Sequence, residues 1–227
     1  MTSHLDLSTI HLEKGAHETR DSGVCLLEAV AWFAGREHSD HPPCVSPVLG
    51  TFGRAWNDAL DDTTRQRLIP YIPRMVGTAG DGADELRAWM LTDWLARVFA
   101  PAFLHAAGFA KQAHELEDSP PITGPEAAMS LQAELNKAAK AACAAWDGGG
   151  AAGWDAAGVA ARAAAGAAAG AAAGAAAWDA AGAAGWDAAG GAAWDAGGAA
   201  LKPTVKRLQA SMFELFGRLC DAGNHGG

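Results

Sequence analysis

Apolar positions recur every three or four residues along most of this chain, and the polar breaks between them mark out helices. Leu5 to Leu12 predicts a short extended segment ahead of the first of these. Ser22 then reads as the cap of a helix reaching Phe33, with Gly35 as its stop. Val24, Leu26, Leu27, Val30, Trp32 and Phe33 fall on nearly every side of that helix, which predicts burial all round. Ser46-Pro47 is a cap followed by a first-turn proline, and Val48, Phe52, Trp56 and Leu60 mark one face of the helix it opens. Thr63 with Gln66 fits a capping box for a third helix, which Pro70 and Pro73 must bend or end. Gly77 to Gly82 is a loop. Asp81 can cap a long helix through Leu86, Met90, Trp94 and Val98, with a kink at Pro101 and a stop at Gly108. A short helix follows at about 109–116.

Residues 117–124 (EDSPPITG) break the pattern, and Thr123 with Glu126 signals another helix start. Leu131, Leu135, Ala138 and Ala142 give that helix an apolar side. After Pro203, the residues Val205, Leu208, Met212, Leu215 and Leu219 recur at spacings of three and four, with Phe213 and Phe216 widening the stripe. Such a stripe packs on a neighbouring helix of its own chain or on a partner.

Between these two helices the sequence repeats in fours. Trp146, Trp154, Trp178, Trp186 and Trp194 share one column with Arg162 and a series of glycines, and an aspartate follows each Trp. Trp, Arg and Gly have no packing role in common, but their codons TGG, CGG and GGG differ by one base. A slipped twelve-nucleotide repeat explains that column better than packing does. At about 100° per residue, a helix places all five tryptophans within an arc of about 160°. Alanine favours one long helix here. The 14 glycines between 148 and 198 oppose it by about 1 kcal/mol each relative to alanine. The expectation is a helix over about 151–189, broken at Gly148-Gly149-Gly150.

The sequence therefore predicts an all-α protein. A compact helical domain spans 1–118, a linker 119–124, an Ala-rich arm 125–200, and an amphipathic terminal helix with its tail 201–227. The net charge of −9 includes no basic cluster, which disfavours nucleic acid. Arg162, the aspartates and the weak apolarity of alanine argue against a membrane span. Residues 1–21 lack an apolar leader core, and Cys25, Cys44, Cys143 and Cys220 are scattered, so the expected setting is the cytoplasm with reduced thiols.

Candidate chemistry concentrates in Cys25, Glu28, Glu37, His38, Asp40, His41 and Cys44. Cys25, His38, His41 and Cys44 could form a tetrahedral zinc site. Alternatively, Cys25 in a first helical turn could act as a nucleophile, with Glu28 beside it and His38 as base. A structural reading makes Cys25 a small buried apolar residue and gives Glu28 to the backbone of the following loop. Because Glu28 sits in an apolar helix it needs a partner, with Arg54, Arg74 and the Ser39/His41 backbone as candidates. No phosphate loop, HExxH, GxSxG or CxxC pair is present. His17, His105 and His114 read as surface residues, as do Asp58, Asp61 and Asp62.

The segments SGVCLLEAVAWFAGREHSDHPPCVSPVLGTFGRAWNDAL (22–60) and RLIPYIPRMVGT (67–78), the Ala/Trp/Asp/Gly tract, and the tail LKPTVKRLQASMFELFGRL (201–219) resemble a group of uncharacterised bacterial and bacteriophage proteins. The resemblance implies a compact N-terminal part, a tract of variable length and a terminal helix, and it carries no activity or site residue. The functional expectation is a non-catalytic cytosolic protein acting through protein contacts. Its contact faces would be Trp146, Trp154, Trp178, Trp186 and Trp194, or Leu208, Met212, Leu215 and Leu219. The alternative is a small metal-binding or cysteine-dependent enzyme domain centred on Cys25, His38, His41 and Cys44.

Overall fold

The computed structural model describes residues 5–147 and 201–223, and the side chains of 143–147 lie outside that description. The fold is all-α, with no strand among the described residues. In order, the helices are α1 (Leu26–Phe33), α2 (Pro47–Ala59), α3 (Asp62–Arg65), α4 (Ile72–Met75), α5 (Asp84–Trp94), α6 (Ala100–Ala106), α7 (Ala110–Glu117), α8 (Pro125–Asp147) and α9 (Lys202–Asp221). The chain divides into two compact units, Met1–Arg87 with Gly217–Gly227, and Ala88–Phe216. The expected helix over 151–189 lies outside the described residues.

In the first unit, Leu12, Leu26, Leu27, Val30, Leu49, Phe52, Trp56, Leu68, Ile72 and Met75 are buried. Helix α1 begins at Leu26 with Cys25 as its cap, three residues later than Ser22 would place it. Ser22 instead closes a 3₁₀ turn, Arg20–Ser22, by bonding back to Thr19. The α1 stop is as expected: Gly35 takes φ +65°, its N–H reaches Trp32, and the Arg36 N–H reaches Ala31. Ser46 caps α2 by accepting from the Leu49 N–H at 3.3 Å, and its hydroxyl donates to Asp84.

Asp61, not Thr63, caps the third helix, through the Thr64 N–H at 2.9 Å and the Thr64 hydroxyl at 2.7 Å. Gln66, the expected capping-box partner, instead clasps Leu12, accepting from its N–H and donating to its carbonyl, both at 2.9 Å. The Leu5–Leu12 segment opens with a turn, because the Asp6 carboxylate takes the Ser8 N–H at 2.9 Å. Past α3 the chain tightens into a 3₁₀ stretch, Gln66–Tyr71, which carries Pro70.

Arg87 is fully buried and serves as a hub of this unit. It donates to Asp81, to Asp84 at 3.2 Å and to the Leu219 carbonyl at 2.9 Å. The Arg87 guanidinium beside Asp81 holds that carboxyl below its usual range.

In the second unit, the kink expected at Pro101 appears upstream as a π turn over Leu95–Phe99. Pro101 has no N–H to give, and the ladder resets one residue early when the Ala100 N–H bonds the Leu95 carbonyl. Trp94, Phe99 and Phe103 pack in series, with ring centroids 5.3 and 5.1 Å apart. Gly108, at φ +86°, ends α6, with its N–H on His105 and the Phe109 N–H on Leu104. The chain then turns directly into α7. Asp93 supports the 117–124 linker by accepting from the Ile122 N–H at 2.8 Å, and Arg97 donates to the Ser119 carbonyl at 2.9 Å. Leu131, Leu135, Ala138 and Ala142 of α8 are buried as their spacing predicts.

The α9 stripe is buried within this chain at Leu208, Met212, Leu215 and Leu219. At about 2 kcal/mol for each side chain removed from water, that burial already accounts for the stripe without a partner.

Candidate functional site

The polar cluster around Cys25 is built from the N-terminus of α1. Cys25 occupies the cap position, and Glu28, three residues on, returns its carboxylate to the Cys25 N–H at 2.8 Å. This is a capping box with cysteine where serine or threonine is usual. Glu28 is only 1% exposed. Its second group of partners comes from the preceding segment: the His17 N–H at 2.6 Å and the His17 ring Nδ1 at 2.8 Å. Burial pushes the Glu28 carboxyl up, but the hydrogen bonds from Cys25 and His17 outweigh it, and its pKa lies below the ordinary 4.5.

The partners suggested by the sequence are engaged elsewhere. Arg54 donates to the Asp40 carbonyl at 3.0 Å, and Arg74 to the Gly217 carbonyl and Asp221, both at 2.8 Å. The Ser39 hydroxyl takes the His41 N–H at 3.0 Å. His17, read as a surface residue, is the partner that sequence reasoning missed. It lies eleven residues back across an irregular stretch where no periodicity points to it.

The environment of Cys25 disfavours the nucleophile reading. The thiol is 3% exposed, and burial first, then the charge of Glu28, pushes its pKa up to about 12. The cap position does supply N–H groups, but they do not offset those two effects. His38 turns its Nε2 toward the His17 carbonyl at 2.8 Å and lies 3.6 Å from Glu28. It therefore holds the 17–38 loop contact instead of serving the thiol as a base.

The zinc reading finds no support in the geometry. Cys25, His38, His41 and Cys44 do not converge as a ligand set among the described residues. His41 is 67% exposed beside Asp40, and the Cys44 backbone carbonyl, accepting from the N–H groups of Gly77 at 2.9 Å and Ala79 at 3.3 Å, ties its segment to the 77–79 turn. An open cleft of about 280 Å³ in the same unit is lined by Leu5, Thr9, His11, Arg20 and Trp32. His11 on its wall pairs with Asp62 at 3.2 Å, not with a nucleophile.

A different group does converge. His105, His114 and Glu117 place their ligand atoms within 4.8 Å of one another, the one such set among the described residues. His105 comes from the last turn of α6, and His114 and Glu117 from successive turns of α7. Glu117 Oε2 lies 3.2 Å from His105 Nε2 and 3.0 Å from His114 Nδ1. Both histidines had read as surface residues. The available signal was a His-x8-His-x2-Glu spacing across the Gly108 helix stop.

No protein-family model, curated protein or solved structure matches this chain. No helix among the described residues is long and apolar enough to cross a membrane.

Proposed function

We propose that this chain is a non-catalytic cytosolic protein acting through protein contacts, with the tryptophan column as the face it presents to a second copy of itself. The observation that carries the non-catalytic half is the engagement of Cys25 and Glu28. The thiol is buried and strongly biased to its neutral form, and the carboxylate is committed to two backbone N–H groups and a ring. Free thiols at Cys25, Cys44 and Cys220 suit a reducing compartment.

The contact half rests on the sequence repeat. Leu208, Met212, Leu215 and Leu219 are buried in the chain. The side chains of Trp146, Trp154, Trp178, Trp186 and Trp194 lie outside the described residues, and what supports them is their sequence spacing of eight within each run. A periodic column offers the same spacing to another copy, and tryptophan supplies large contact area per residue.

Two measurements test the reading. Iodoacetamide at neutral pH leaves Cys25 unlabelled in the folded chain, whereas rapid selective labelling there overturns the non-catalytic half. Sedimentation equilibrium of the full chain gives a mass that rises with concentration, and replacing the five tryptophans by alanine abolishes the rise. Equal masses at all concentrations overturn the contact half.

A further inference from the structure

We propose that His105, His114 and Glu117 form a binding site for a divalent transition-metal ion, zinc above all, which clasps the α6–α7 hairpin. The argument begins with the turn. Gly108 folds α7 back directly after α6, so a histidine three residues before the stop meets the exposed face of the next helix. His114 and Glu117 are one turn apart on that face, the spacing at which helical neighbours meet. The two rings sit edge to face with centroids 4.9 Å apart, and one carboxylate serves both.

Metal–ligand distances in such sites are about 2.0–2.2 Å, which for a tetrahedral angle sets neighbouring ligand atoms about 3.3–3.5 Å apart. The observed 3.0–3.2 Å between Glu117 and the two rings is within a few tenths of an ångström of that. An ion enters by small side-chain rotations and replaces the ring-to-carboxylate hydrogen bonds, with release of the protons on the facing nitrogens.

The donor set selects the ion. Two imidazoles and one carboxylate suit zinc and its neighbours, whereas magnesium and calcium require oxygen ligands. Both histidines lie in the last turn of their helices, where the backbone dipole favours positive charge. The nearby ammonium groups of Lys111 and Lys137 already face Glu115, at 4.0 and 3.1 Å. Three protein ligands leave a fourth position for water or an incoming group.

The test uses the full chain stripped with EDTA and titrated with Zn²⁺ by calorimetry, then with Co²⁺ by visible absorption. One equivalent binds, and the Co²⁺ spectrum shows the strong bands of a four- or five-coordinate nitrogen and oxygen site. His105→Ala, His114→Ala and Glu117→Gln each weaken binding by at least about 100-fold, more than loss of an outer partner costs. His41→Ala and Cys44→Ser leave it unchanged. His114 is 64% exposed, so its alanine variant folds, and circular dichroism verifies that. Absence of saturable uptake, uptake unaffected by His114→Ala, or loss on Cys44→Ser each overturns the proposal.

Discussion

Glu28 and Glu117 are both carboxylates within reach of two histidines, and the chain uses them in opposite ways. Glu28 is buried, its histidines are 12% and 16% exposed, and backbone N–H groups from two segments fill its acceptor sites. Glu117 is 37% exposed, and the polar partners it shows are imidazole nitrogens. The residue types are the same; burial and the supply of backbone donors set them apart. A carboxylate that closes a helix start and ties down a preceding loop cannot leave its partners without exposing orphan N–H groups, so it belongs to the fold. One held only by two surface rings can exchange them for an ion.

The largest expected effect breaks the first member of the pair. Glu28→Ala orphans the Cys25 and His17 N–H groups and one ring nitrogen around a carboxylate that is 1% exposed. Loss of one partner in a buried polar network costs about 3 kcal/mol or more. Urea unfolding should show that loss, and a loss under 1 kcal/mol would mean that water replaces the carboxylate there.

Acid sharpens the same contrast. A carboxyl whose pKa is depressed in the folded state stabilises fully above its unfolded pKa, and that stability is lost as pH falls through the folded value. Glu28 lies below its ordinary 4.5 and Asp81, through Arg87, below 3.8. The urea midpoint should therefore hold steady above about pH 5 and fall progressively below it. Glu28→Gln should flatten the upper part of that fall while the Asp81 part remains. A midpoint that declines equally in Glu28→Gln would assign the acid sensitivity to other carboxylates.

These contrasts also locate what the sequence made legible. Local devices were readable: Ser46 with Pro47 opened α2, Gly35 and Gly108 ended their helices, and the α8 and α9 apolar spacings matched buried faces. Each depends on residues within one or two turns. What was not readable depended on distant partners. Gln66 matched a capping box but was drawn off by Leu12, leaving the cap to Asp61. Glu28 clearly needed a partner, but nothing local distinguished His17 from Arg54 or Arg74. At Pro101 the proline signalled a kink, but not that the helix would widen into a π turn over Leu95–Phe99. His105, His114 and Glu117 were each unremarkable alone; only the Gly108 reversal brings them together.

The smallest expected effect completes the comparison at Glu117. Without metal, Glu117→Gln keeps the side chain's size and one acceptor oxygen, and every group it touches remains open to solvent. Exposed pairs of this kind contribute about 0–1 kcal/mol, and water can replace either ring contact. The unfolding free energy of the EDTA-treated variant, measured in urea, should therefore stay within about 0.5 kcal/mol of the parent chain. With Zn²⁺ in excess the two should separate, because only the parent gains the stabilisation that follows from binding the folded state alone. A Glu117→Gln loss in EDTA as large as that of Glu28→Ala would place Glu117 among the groups that hold the fold, and the distinction between the two carboxylates would disappear.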